Sequence, residues 1–329
     1  MRALRVNVWI ALSVWTLWLI FGGKNALHHL LIDWRVALTM VFGSMVGSGT
    51  SEGGGAVAFP IFTKLLHIAA CDARNFSLAI QSVGMASASL SIFLLRIPVE
   101  RRALVCAGLP GIAGVVFGAF YVAPFVPPVI VRTSFTVLVT SLGLALLLMK
   151  RVRGSGRNLG LTSFGAKERA ILVAAGFLGG IVSALIGTGE NSVTFMVMVL
   201  LFRINEKIVT PTTVILMTMV TIPGFLIHGF WLKDFSPAVM GYWLAAVPVV
   251  TVFAPLGALI CVHMSRRAIV NTLLFLIALE FVSTLVLVPI SRTVLLASAA
   301  TLLICSSIDW FMTRVTFYAP QPEGSEAHD

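Results

Sequence analysis

The sequence predicts an all-α polytopic membrane protein: an inverted repeat with two re-entrant hairpins and about eight full transmembrane helices. Three observations carry that expectation. Hydrophobic residues make up 58% of the chain and charged ones only 11%, with a mean hydropathy of +0.99, whereas a soluble domain is about 25% charged. Apolar runs of roughly 20 residues, enough to cross a bilayer, recur along the chain. Finally, one glycine-broken apolar stretch occurs twice, as GSMVGSGTSEGGGAVAFPIFTKLL (Gly43 to Leu66) and as GGIVSALIGTGENSVTFMVMVLLF (Gly179 to Phe202). Aligned without gaps, Gly43 falls on Gly179, Gly53 on Gly189, Val57 on Val193, Phe59 on Phe195 and Leu65 on Leu201.

Residues 1–33 hold a first transmembrane helix and a connector. The opening MRALRVNVWIALSVWTLWLIFGGK has a basic head and an apolar core, as a signal peptide does, but no small-x-small cleavage site follows. A retained helix from Val6 to Gly23 is expected, then a polar connector with Lys24, His28, His29, Asp33 and Arg35.

Repeat 1 (34–149) starts with the first broken stretch, in which six glycines, a glutamate and a proline fall within eighteen residues. That composition does not support a continuous helix. The piece from Gly53 to Leu66 is roughly 21 Å long as a helix against a hydrocarbon core of roughly 30 Å, so a re-entrant hairpin fits. Full spans follow at about Phe76 to Leu95, Ala103 to Pro124 and Val129 to Met149.

The loop 150–169 sets Lys150, Arg151, Arg153, Arg157, Lys167 and Arg169 against the single acid Glu168, which places it in the cytoplasm. Repeat 2 (170–291) begins with the second broken stretch, Ala170 to Phe202. Its spans lie at about Ile208 to Trp231, Pro237 to Val262 and Ala268 to Pro289. A last helix (292–317) precedes a tail, 318–329, whose polar composition predicts disorder. Counting from the basic loop, with each broken stretch a hairpin, gives the two repeats opposite orientations and leaves both termini cytoplasmic.

The net charge of +10 sits in short loops between spans, so it signals topology and not a nucleic-acid partner. The cysteines Cys71, Cys106, Cys261 and Cys305 are far apart with no C-x-x-C or Cys/His spacing, and neither a metal nor a cofactor is expected. Backbone that is not helical survives at membrane depth only where protein buries it or it lines a cavity. Paired broken segments in matching halves therefore mark a transporter's binding site.

Each tip precedes a short helix whose N-terminus offers N–H donors and a partial positive charge, a cradle for a small anion. The candidate binding residues are Ser48, Thr50, Ser51, Glu52, Gly53, Gly54 and Gly55 in the first copy and Thr188, Gly189, Glu190 and Asn191 in the second. Ser77, Gln81 and Thr213, the repeat counterpart of Ser77, join them from the spans that follow. Glu52 and Glu190 are acids in membrane segments and hence proton-coupling candidates, although each has the right position to cap its own short helix. Three other readings stay open: a cation permease using the same two glutamates, an intramembrane enzyme, and a scaffold. Against an enzyme, the chain has no G-x-S-x-G and no helical His/Glu metal motif.

These features together resemble the sulfite exporter TauE/SafE family, whose halves each carry a pattern close to G-x-G-G-G before an apolar run, often with proline. The first copy matches at Gly53, Gly54, Gly55 and Pro60, with Ser51 in place of the leading glycine. The second keeps Gly187 and Gly189, with Glu190 and Asn191 in place of the last two glycines. The likeness spans roughly Trp34 to Pro289. It implies a bacterial-type inner-membrane permease with repeated four-helix halves that exports sulfite or small organosulfonates, its partners being that anion, the bilayer and, if flux is coupled, protons.

Overall fold

The computed structural model describes residues 2–50, 61–66, 68–151, 157–287 and 292–314. Ser51, Glu52, Gly53, Gly54 and Gly55 of the first tip, and the tail 318–329, thus lie outside the described residues. The chain runs through α1 (Arg2–Ile32), α2 (Trp34–Gly49), α3 (Ala70–Leu94) and α4 (Arg101–Phe117), then α5 (Pro128–Arg151) and α6 (Ala166–Ile186). It continues through α7 (Glu190–Met196), α8 (Glu206–Leu226), α9 (Pro237–His263), α10 (Arg266–Leu287) and α11 (Arg292–Arg314). π-Helical turns lengthen α4, α7 and α8, the last two reaching Leu201 and Trp231. No strand element occurs among the described residues.

Among the described residues, seven helices are long and apolar enough to cross a membrane. Six coincide with expected spans. The seventh, Ala166–Ile186, was expected to be the rising arm of a hairpin, and its 21 residues are by length sufficient to cross. Its return, Glu190–Leu201, is too short to do so. Among the described residues α5 contributes the apolar stretch Thr136–Leu147, and α11 is one continuous helix from Arg292 to Arg314. The connector after the first span is also helical. α1 passes through Gly23, where φ of +51° kinks it, and continues to Ile32.

Burial is inverted relative to a soluble protein. Phe21, Phe125 and Trp231 are 87%, 81% and 78% exposed, while Gln81, Glu190, Asn191, Glu206 and Thr213 are buried. Outward apolar rings and inward polar groups suit a solvent that cannot hydrogen-bond.

Two helix crossings bring backbones into contact. α4 lies on α6, where a Cβ at Gly176 or Gly180 would strike the carbonyls of Ala107 and Gly111. In the same way α2 lies on α9, where a Cβ at Gly257 would strike the Met45 carbonyl. Small residues at such crossings supply the van der Waals contact that replaces the hydrophobic effect between helices in lipid. Between these pairs, α3 packs on α8 and on α9, and α4 on α8.

α9 is the hub against which α1, α2 and α3 all rest. Pro248 lacks the N–H that would bond the Leu244 carbonyl, and Trp18 of α1 supplies it, with Nε1 2.8 Å from Leu244 O. Trp15 Nε1 likewise donates to Pro248 O at 2.9 Å, so two indoles reach across to dock α1 on α9.

One end of the bundle is tied by charged groups. Glu100 accepts from Arg102 N and Leu161 N, while Glu168 accepts from Gly165 N at 2.7 Å and so closes the start of α6. Glu206, fully buried, pairs with Arg157 at 3.2 Å and Arg266 at 2.8 Å. Desolvation pushes the Arg157 guanidinium down to about 10, with Glu206 opposing the shift, so it stays charged at neutral pH. Asn158 bonds Arg203 O and Asn205 N, bringing the loop before α6 against the chain that follows α7.

Candidate functional site

Between α6 and α7 the chain breaks at Gly187–Thr188–Gly189, and every residue from Ile186 to Ser192 is buried. Gly187 (φ +87°) closes α6, and Gly189 (φ +148°) is the N-cap of α7. Both conformations are strained for any residue with a Cβ. Space forbids one as well: at Gly187 a Cβ would lie 2.6 Å from Ser77 Cβ and 2.7 Å from Arg74 O.

The break is seated on α3. Ser77 Oγ donates to Gly187 O at 3.2 Å, and Gln81 Nε2 donates to the same carbonyl at 2.9 Å and to Ser77 Oγ at 2.5 Å. A backbone carbonyl only accepts, so the Gln81 amide must present its nitrogen there. Its Oε1 is consequently turned elsewhere, buried and without a protein partner.

Within the break, Asn191 Oδ1 accepts from Gly189 N at 3.1 Å and from Thr188 Oγ1 at 3.2 Å. The capping carboxamide is therefore that of Asn191. The glutamate beside it has other contacts: Glu190 N donates to Ser183 Oγ at 2.9 Å, and Glu190 Oε1 accepts from Thr194 Oγ1 at 2.6 Å. Its side chain packs level with the middle of α4, where a Cβ on Gly111 would sit 3.5 Å from Glu190 Cγ. Glu190 Oε2 and Ser192 Oγ, both fully buried, have no protein partner. Each such group costs about 1–3 kcal/mol unless a polar ligand or water reaches it.

Three further sequence candidates make hydrogen bonds of their own. Ser48 donates to Ser44 O and Ala254 O, which makes it part of the α2–α9 crossing. Thr50 caps the end of α2 and donates to Val46 O at 2.8 Å. Thr213 donates to Thr210 O of its own helix at 2.9 Å. Sequence reasoning missed Ser183, Ser192 and Thr194; the i, i+4 spacing of Glu190 and Thr194 on one helix was the signal available for the last of these.

Replacing Gln81 with leucine should lower any flux through the site about tenfold while the protein still folds, because Ser77 continues to hold Gly187 O. Parallel flux and melting measurements on Gln81→Leu check this. Unchanged flux would detach Gln81 from function.

Among the described residues no group of three or more His, Cys, Asp or Glu is placed to hold a metal ion. The chain matches the family model described as Sulfite exporter TauE/SafE over residues 37–284, which includes both broken stretches, α3 and α9. Neither the curated proteins nor the solved structures yield a match.

Proposed function

This chain belongs to the sulfite exporter TauE/SafE family, and from that premise we propose that it is a secondary transporter exporting a small sulfur oxyanion or organosulfonate across a bacterial-type inner membrane. The observation that carries the proposal is the buried break at Gly187–Gly189, seated by Ser77 and Gln81, together with three buried atoms that have no protein partner on residues that seat or follow it: Gln81 Oε1, Glu190 Oε2 and Ser192 Oγ. Those atoms offer a hydroxyl donor and two acceptors. A singly protonated oxyanion such as hydrogensulfite both donates and accepts, so it suits them. Ser51 to Gly55 of the first copy are included in the proposed site with Thr188 to Asn191 on the strength of the sequence repeat.

Transport proceeds by alternating access, one repeat moving against its inverted copy. The helix contacts support that pairing: if α2, α3, α4 and α5 correspond to α6, α8, α9 and α10, then α2 on α9 exchanges with α6 on α4, and α3 on α9 with α8 on α4. The Asn158 bonds to Arg203 and Asn205 support a hairpin for α6 and α7, since the chain before α6 meets the chain after α7 at one end. The basic loop at that end is taken as cytoplasmic, with both termini on the same side.

An anion leaving a negative-inside cell is already favoured by about 2.3 kcal/mol per charge per 100 mV. Proton coupling through Glu190 or Glu52 would then serve mainly to keep an acid beside an anion neutral.

A flux panel in proteoliposomes tests the proposal, comparing sulfite, sulfate, sulfoacetate and simple cations across pH. Sulfite or a sulfonate should move and cations should not. Cation flux alone would replace the anion reading with the cation permease.

A further inference from the structure

At the end of the bundle opposite Glu100 and Glu206, a second polar cluster lies beside the break, with the Arg74 carbonyl against Gly187. α3 contributes Arg74 and Asn75, the end of α8 contributes His228, and the loop before α9 contributes Asp234. Arg74 Nη2 lies 3.1 Å from Asp234 Oδ2, and both carboxylate oxygens are 3.0 Å from His228 Nδ1. Asn75 ties the cluster together, its Nδ2 donating to Asp234 O at 3.0 Å and its Oδ1 accepting from Arg74 Nε at 3.0 Å. Asp72 and Cys71 also face Arg74, and Lys233 neighbours Asp234 in the chain.

Arg74 and Asp234 differ in how firmly they are held. Arg74 has 13% of its side chain exposed and grows from the turn of α3 that seats the break, its carbonyl lying against Gly187. Asp234 is on a loop with 38% of its side chain exposed, and it keeps His228 as a second partner if Arg74 is taken away. Burial pushes its carboxyl up, but contact with His228, the charge of Arg74 and the Asn75 bond together outweigh that and hold it below its ordinary value. An ionised carboxylate is therefore the group with which any other anion must compete for the guanidinium.

Building on the anion-transport reading, we propose that Arg74 receives the anion at the outer mouth, where the departing substrate exchanges with Asp234 for its guanidinium. An arginine can offer a small oxyanion parallel N–H donors; here Asp234 Oδ2 takes Nη2 and Asn75 Oδ1 takes Nε. Arg74 is thus a specificity residue for the exit side, and Asp234 is the internal competitor that clears it.

The test is inhibition of efflux by external inorganic sulfite in proteoliposomes loaded with sulfite. Asp234→Asn removes the competitor, so external sulfite should inhibit at about tenfold lower concentration; Arg74→Gln should require about tenfold more, and Arg74→Lys should recover part of the difference. Opposite shifts in the two variants are what a purely structural latch does not produce. Equal shifts, or lowered melting temperatures with unchanged inhibition, overturn the proposal, and if Arg74→Gln does not fold the Asp234→Asn result alone decides. A wild-type protein that moves no anion overturns the transport reading and this one with it.

Discussion

Alanine at Gly187 will abolish transport and lower the melting temperature sharply. A side chain at φ +87° costs about 1–2 kcal/mol in the left-handed region. The added methyl must also displace Ser77 Cβ at 2.6 Å and the Arg74 carbonyl at 2.7 Å, and overpacking of that kind costs about 1–3 kcal/mol. The obstructing atoms include backbone of α3, which has no rotamer to yield. About 3 kcal/mol in total should unseat the break from α3, and the Ser77 and Gln81 bonds to Gly187 O would go with it. Gly189→Ala meets Val182 at φ +148° and should behave alike. Detergent melting together with flux measures both; wild-type values for Gly187→Ala would mean the break does not rest on α3 as described.

Glutamine at Glu190 should leave the fold intact and remove the transport rate or its pH dependence. The two side chains have nearly the same volume, so packing against Gly111 and Gly179 survives. Thr194 can still donate to Oε1 and Ser183 can still accept from the backbone N–H, which limits the folding cost to about 1 kcal/mol. What disappears is the ability to bind and release a proton at Oε2, the atom for which the protein supplies no partner. An ionisable group is costly among apolar helices, and a capping role cannot explain it, since Asn191 provides the cap. A Glu190→Gln protein that transports at the wild-type rate across pH 5 to 8 would reduce Glu190 to a packing residue.

Much of the architecture was legible in the chain. Hydropathy reports length and lipid exposure directly, so six of the seven candidate spans coincide with expected ones. The second broken stretch was legible too, because glycines at positive φ leave a local mark, and Gly187 and Gly189 carry that mark. α6 was less so: a 21-residue apolar run reads alike as a hairpin arm or as a full crossing, and length alone does not separate them. The helical continuation of α1 past Gly23 was hidden by the polarity of Lys24, His28 and His29, which at a membrane surface is compatible with either helix or loop.

Site membership was harder to read, for a reason visible in single residues. Ser48 and Ser77 look equivalent as small polar residues in apolar helices, yet Ser48 is consumed at the α2–α9 crossing while Ser77 holds Gly187 O. The bonds that distinguish them link positions 206 and 110 residues apart. Local rules of spacing and capping reach about one helical turn, far enough to connect Glu190 with Thr194 and no further. Composition and duplication were thus enough to specify a helical membrane permease with a broken, acid-bearing segment. The seating of that segment on Ser77 and Gln81, and the Arg74–Asp234 pair above it, arise from packing between distant helices, because in lipid the choice of neighbour rests on backbone fit and hydrogen bonds that no single segment encodes.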